Sequence, residues 1–203
     1  MPENKPAPLA PDSLLAEAIE RFTAIGRLDP RRVFWQGEQV PYQLGEAACL
    51  QHYIDKLTDA PSLALRLAAH CQHLRRFAYP RDAFAAGREG YLAWRIDAAR
   101  RSAAEAGEVL AQLGSPIDVV EQVTRIITKQ DRRHNTDVQL MQDALALAFL
   151  KLEAEAFFAK HTEPEIIRIL QRTLQKTSDL GKAVAIAEPW TDSVRAWLAK
   201  AVR

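Results

Sequence analysis

The sequence predicts an all-α protein: a single helical bundle with a C-terminal appended helix. Three observations carry this. Apolar residues recur at helical spacing through most of the chain, glycine and proline fall between those periodic runs, and no alternating run is long enough to build a sheet. No internal repeat is evident.

The elements follow in order. Asp12 and Ser13 offer a cap for a helix whose Leu14, Leu15, Ala18, Ile19, Phe22 and Ile25 share one face and which Gly26 ends. Residues 27–43 hold Pro30, Gly37 and Pro41 around Val33, Phe34 and Trp35, an irregular segment pinned by aromatic side chains. Helices are expected from about Gly45 to Leu57 and from about Ser62 to Phe77, paired as a hairpin around Asp59-Ala60-Pro61, and a long one from about Glu89 to Leu113, stopped by Gly114. Ser115-Pro116 opens a helix carrying Ile117, Val120, Val123 and Ile127, and the polar run Lys129–His134 turns the chain. The most apolar helix spans about Thr136 to Lys160, with Met141, Leu145, Ala148, Phe149 and Leu152 in one stripe. Thr162 and Glu165 form a capping box with Pro164 in the first turn. A short alanine-rich helix follows Gly181, and Pro189-Trp190-Thr191 starts the last helix.

A chain of 203 residues with 48 % hydrophobic and 26 % charged residues can bury one core. The organisation expected is a flexible tail over residues 1–12, rich in proline, a helical domain over 13–188, and a C-terminal helix over 189–203. That helix, with Trp190 and Trp197, would pack on the bundle or on a second copy of the chain as a homodimer. A net charge of +1 supplies no field for nucleic acid or an anionic membrane, so any anion site must be local. No stretch reaches the roughly 18 apolar residues of a membrane span, and the tail has no apolar core of a signal peptide. Cys49 and Cys71 fall within expected helices rather than in a disulfide framework, which fits a cytoplasmic protein. There is no phosphate-binding glycine loop, dinucleotide fingerprint or nucleophile elbow.

Three groups of residues carry chemistry. His70 and His73, three apart in an expected helix, would set two imidazoles on one face, the beginning of a divalent-metal site. Zinc takes three or four ligands, and no further ligand pattern completes the set. The alternative for His73 is a histidine that locks one helix on another through a carboxylate. Asp143 stands inside an apolar helix, where an ionised carboxylate needs a cation or donors; Arg75, Arg76, Arg95 and His73 are the candidates. The densest feature is the arginine set Arg75, Arg76, Arg81, Arg88 and Arg95 among Phe77, Tyr79, Tyr91 and Trp94. Guanidinium groups grip phosphate or carboxylate while aromatic rings such as Tyr91 and Trp94 wall a pocket. Lys129 and Lys176 would add charge if the fold brings them near. The alternative is that the arginines are internal partners of acidic residues.

The runs Gln72-His73-Leu74-Arg75-Arg76-Phe77, Tyr79-Pro80-Arg81-Asp82 and Gly90-Tyr91-Leu92-Ala93-Trp94-Arg95 resemble the signature of the domain of unknown function 4202 family. So do Asp29-Pro30, Gln139 to Leu150 with Asp143 inside, and Lys176-Thr177-Ser178 before Gly181. Ser102-Ala103 stand where that family often has His-Ala, and Thr177 where it has methionine. The resemblance implies a cytosolic helical protein and no activity. More distantly, the chain is similar to the HD phosphohydrolase superfamily. That resemblance implies His73 as general base or ligand, with Asp143 orienting it or holding a divalent ion; the residue chemistry above adds Arg75, Arg76, Arg81, Arg95 and Lys176 as the groups that would bind the anion. Two functions therefore stand open: a pocket that binds a phosphorylated or otherwise anionic small molecule, with or without hydrolysing it, and a non-catalytic interaction or sensor module.

Overall fold

The computed structural model describes residues 9–202, so the greater part of the expected 1–12 tail lies outside the described residues. Among these there are ten α-helices and one two-stranded hairpin. The all-α expectation holds.

Helix α1 (Pro11–Gly26) starts slightly earlier than expected. Pro11 supplies a pre-set φ in the first turn and Ala10 takes the cap position without a side-chain bond, so Asp12 and Ser13 lie inside the helix. The segment read as irregular folds into an antiparallel hairpin, β1 (Arg32–Trp35) and β2 (Glu38–Pro41), with Val33 opposite Val40. Its turn residues Gln36 and Gly37 both have positive φ, 51° and 88°, which matches the twist of the flanking strands.

Helix α2 (Tyr42–Leu57) follows directly, then α3 (Leu63–Cys71), whose first turn is capped by Ser62 accepting from the Leu65 amide at 3.0 Å. The expected continuation to Phe77 does not form. The Gln43 side chain accepts from the Arg75 amide at 2.8 Å, Ser102 Oγ donates to the Leu74 carbonyl at 2.9 Å, and Arg75 is left-handed at φ 53°. Two tertiary hydrogen bonds thus pull this backbone out of the helix, and the chain continues through 3-10 turns at Arg76–Ala78 and Arg81–Ala83.

Helices α4 (Gly87–Gln112) and α5 (Ile117–Thr128) form a hairpin around Gly114. The helix expected over 136–160 is two, α6 (Thr136–Leu152) and α7 (Ala154–Phe158), broken at Glu153. The Thr162–Glu165 capping box forms as predicted and opens α8 (Glu163–Leu174). Ser178 caps α9 (Asp179–Ala187), which contains Gly181 rather than following it, and Thr191 caps α10 (Asp192–Ala201).

Helices α2, α3 and α6 supply the centre of the core, with Tyr53, Leu65, Leu67, Met141 and Ala144 fully buried. The α4–α5 hairpin closes one side. On another, α10 packs against α8 and α7 of the same chain, and buried Trp190 donates its indole N–H to the Ala185 carbonyl at 2.6 Å. Among the described residues no helix is long and apolar enough to cross a membrane.

Candidate functional site

The turn after α3, the middle of α4 and the end of α5 enclose a cavity of about 190 Å³. Gln72, His73 and Arg76 come from the turn, Leu92, Arg95 and Ile96 from α4, and Ile127, Thr128 and Lys129 from the last turn of α5. Three lining side chains are cations and none is a carboxylate. The early end of α3 matters here, because it swings His73 and Arg76 out of a helical register and against α4 and α5.

The cations are not spent on acidic partners. Among the described residues Arg76, Arg95 and Lys129 make no ion pair; the Arg76 guanidinium lies over the Trp94 ring at 4.4 Å and Arg95 over Tyr91 at 5.7 Å. Lys129 Nζ donates to Gln142 Oε1 at 2.9 Å. Burial, and then the charges of Arg95, Lys176, Arg76 and Arg132, push its ammonium down to about 7. Burial and Arg95 also pull Arg76 below its ordinary value, although Glu46 acts in the opposite direction. Like charges gathered without an ion-pair partner favour an anion between them.

Behind the cavity lies a second polar layer. His73 Nδ1 meets Glu46 Oε1 of α2 at 2.7 Å, and both side chains are largely buried. Burial works to raise the Glu46 carboxyl, but His73, Arg76 and Arg31 together hold it below its ordinary value. Burial, with Arg76 and Lys129, keeps the His73 imidazole below its ordinary value against the pull of Glu46. An ionised carboxylate only accepts, so neutral His73 carries its proton on Nδ1 and leaves a lone pair on Nε2. Beside this pair, Tyr42 donates to Glu153 at 2.7 Å, and Arg31 lies over the Tyr42 ring while binding Asp29 through two nitrogens at 2.9 and 2.7 Å. Burial, joined by repulsion from Glu46, raises the Glu153 carboxyl.

The structure separates several residues that the sequence grouped. His70 remains on α3 and lines a different, open groove with Asp55, Asp59 and Arg66, so the two histidines do not share a face. No cluster of three or more His, Cys, Asp or Glu suited to a metal forms among the described residues. Asp143 is fully buried on α6 but meets none of its four expected partners. Its Oδ1 accepts from Gln139 Nε2 at 2.7 Å and the Ser178 amide at 2.9 Å, and its Oδ2 from Ser178 Oγ at 2.5 Å. Three neutral donors satisfy it, and it clasps the start of α9 to α6. Gly181 allows this approach, since a Cβ there would lie 2.8 Å from Asp143 Cγ.

Arg75 pairs with Glu105 at 3.0 Å. Arg81 donates to the carbonyls of Phe84, Ala85 and Gly87 at 3.0, 2.8 and 3.2 Å, tying its own loop. Both guanidinium groups are engaged within the chain. Lys176 belongs to the same field of charge, because Arg95 and Arg132, after burial, lower its ammonium. Tyr91 is exposed beside the cavity, and Trp94, whose indole N–H donates to the Tyr79 carbonyl at 2.8 Å, is the platform under Arg76. Sequence reasoning missed Glu46 and Gln142. Glu46 had a signal available: a carboxylate between Gly45 and Ala47-Ala48-Cys49 in an expected buried helix needs a partner as much as Asp143 does.

Fold and site together define a helical protein whose distinctive feature is a small cationic cavity backed by a histidine–carboxylate pair. The chain belongs to the family described as Domain of unknown function (DUF4202), whose model matches residues 16–197. Comparison with curated proteins and with solved structures finds no match.

Proposed function

We propose that the cavity between α3, α4 and α5 binds the anionic end of a small phosphorylated molecule. The observation that carries this reading is the set Arg76, Arg95 and Lys129 on one concave wall with no carboxylate among the lining residues. A purely structural arginine cluster would be paired internally, as Arg75 is with Glu105. The volume also constrains the ligand. About 190 Å³ is below the roughly 300–1,000 Å³ of clefts that hold a whole drug-sized molecule, so a phosphoryl head fits and the remainder reaches the exposed face of Tyr91, Leu92 and Ile96.

A second reading rests on the 2.7 Å contact between His73 and Glu46. Hydrolysis of a bound ester would use His73 Nε2 to take a proton from water, with Glu46 rather than Asp143 orienting the imidazole and the arginines stabilising the charge that develops. Isothermal titration with inorganic phosphate and simple phosphate monoesters tests the binding reading. Arg95→Ala, at an exposed position, and Arg76→Ala should each weaken binding about tenfold or more, by loss of a charge-assisted contact. Saturable binding that neither variant alters, or no binding of any phosphate, would sink it. Release of phosphate that stops in His73→Ala while binding persists would support hydrolysis.

A further inference from the structure

Lys129 is an unusual residue for its position. It occupies the left-handed cap of α5 at φ 58°, with its amide and that of Gln130 closing the helix onto the Ile126 and Arg125 carbonyls at 3.2 and 2.9 Å. Glycine or asparagine fills this place when only the turn matters, and a side chain there carries backbone strain. The lysine is nevertheless built in. Its side chain lines the cavity, and its Nζ is positioned by a single neutral acceptor, Gln142 Oε1, at 2.9 Å.

The charges that act most strongly on this amine are cationic: Arg95 from α4, Lys176 from the end of α8, Arg76 from the turn after α3 and Arg132 from the turn before α6, with neutral His73 on the same cavity. A lysine whose task is structural finds a carboxylate; one half-buried among cations gives up its proton more readily, and the free amine is the nucleophilic form.

We propose that Lys129 is a nucleophile that captures the carbonyl carbon of a phosphorylated aldehyde or ketone as an imine. The proposal rests on the anion-binding reading, because Arg76 and Arg95 hold the phosphoryl group and thereby set the carbonyl against Nζ. The amine lone pair adds to the carbonyl carbon, and the proton lost from nitrogen passes to the oxygen, giving a carbinolamine. Loss of water then leaves the C=N bond. No oxidant or reductant takes part, and His73, which lines the same cavity and is neutral with Nε2 unprotonated, is the group to carry the proton. With the ammonium pushed down to about 7, first by burial and then by the surrounding charges, about half of the lysine is free amine at neutral pH.

The test is reductive trapping of the full chain with glycolaldehyde phosphate and cyanoborohydride, read by intact mass and peptide mapping, beside calorimetry with inorganic phosphate. The expected result is one adduct, on Lys129, forming half-maximally near pH 7, slowed tenfold or more by excess phosphate or by Arg95→Ala, and absent in Lys129→Met. Mapping on the wild-type chain keeps the result interpretable if that variant does not fold. Phosphate binding without a Lys129 adduct, or adducts spread over exposed lysines, overturns this proposal and leaves the anion site standing. A Lys129 adduct that phosphate does not suppress overturns both the phosphorylated substrate and the anion site.

Discussion

Replacing Asp143 by Ala separates a structural carboxylate from a chemical one. The side chain is fully buried and accepts three hydrogen bonds, two from Ser178 and one from Gln139. Hydrogen bonds to a charged acceptor contribute about 1.5–3 kcal/mol each, but the three share one group and do not add. Its removal leaves buried donors unpaired and opens a small cavity, a combination that costs about 3–5 kcal/mol. At roughly 2–4 °C per kcal/mol for a domain of this size, the melting temperature falls by roughly 6–20 °C. Asp143→Asn should cost less, about 1–2 kcal/mol, because one oxygen still serves the Ser178 amide and the Ser178 hydroxyl can turn to accept from the new NH₂. Adding Ser178→Ala to Asp143→Ala should destabilise less than Ser178→Ala does alone, leaving mainly the loss of the α9 cap to the Gly181 amide, about 0.5–2 kcal/mol. Urea denaturation measures all of these, and phosphate titration at low temperature measures the site in the folded protein. An Asp143→Ala protein within 1 kcal/mol of wild type, or one that keeps its stability but loses phosphate affinity, would refute the assignment of Asp143 to the clasp.

Two further predictions follow from the same geometry. Gly181→Ala gains up to about 1 kcal/mol of helix propensity, yet its Cβ would stand 2.6 Å from Thr177 Cγ2 and 2.8 Å from Asp143 Cγ. Overpacking costs about 1–3 kcal/mol, so the variant should be less stable by about 1 kcal/mol, and a variant more stable in urea would show that the α6–α9 contact is loose. For His73, burial and the neighbouring cations lower the imidazole while Glu46 raises it, so Glu46→Gln should move its titration, followed by proton NMR, to still lower pH. Because the folded value lies below the unfolded one, the contribution of His73 to stability is complete above about pH 6.5 and is lost as pH falls through the folded value. An upward shift in Glu46→Gln would contradict the hydrogen-bonded pair.

The helices were legible because their stripes and stop residues are local properties; the capping box at Thr162–Glu165 formed as the sequence implies. The hairpin was not. Each strand has four residues and is half-exposed, too short for alternation to register against a background of helix. The early end of α3 was also invisible, because what ends it comes from Gln43 and Ser102, each 28 or more residues away from its partner in the turn. The pattern 62–77 is helical by every local measure, and tertiary hydrogen bonds override it. At the break between α6 and α7, Tyr42 of α2 holds the Glu153 carboxylate from 111 residues away, a contact that no local pattern in the longest apolar run announces.

The site shows where reading by residue type fails and where it succeeds. Asp143 and Glu46 are both buried acids on apolar helices, and only Asp143 drew notice because it sits in the most apolar run. Yet its donors are neutral and closed around it, so its charge is fully answered on the spot. Glu46 is answered by His73 and by the more distant Arg76 and Arg31, and His73, bound to it through Nδ1, also lines the cavity. The arginines divide in the same way. Arg75 and Arg81 are consumed by Glu105 and by loop carbonyls, while among the described residues Arg76, Arg95 and Lys129 have aromatic faces or an amide for company and make no ion pair. Sequence density alone could not sort these two groups, since Arg75 and Arg76 are adjacent. The left-handed turn at Arg75 sorts them, sending one guanidinium to Glu105 and the other onto Trp94, and it is this unpaired remainder that gives the cavity its cationic lining.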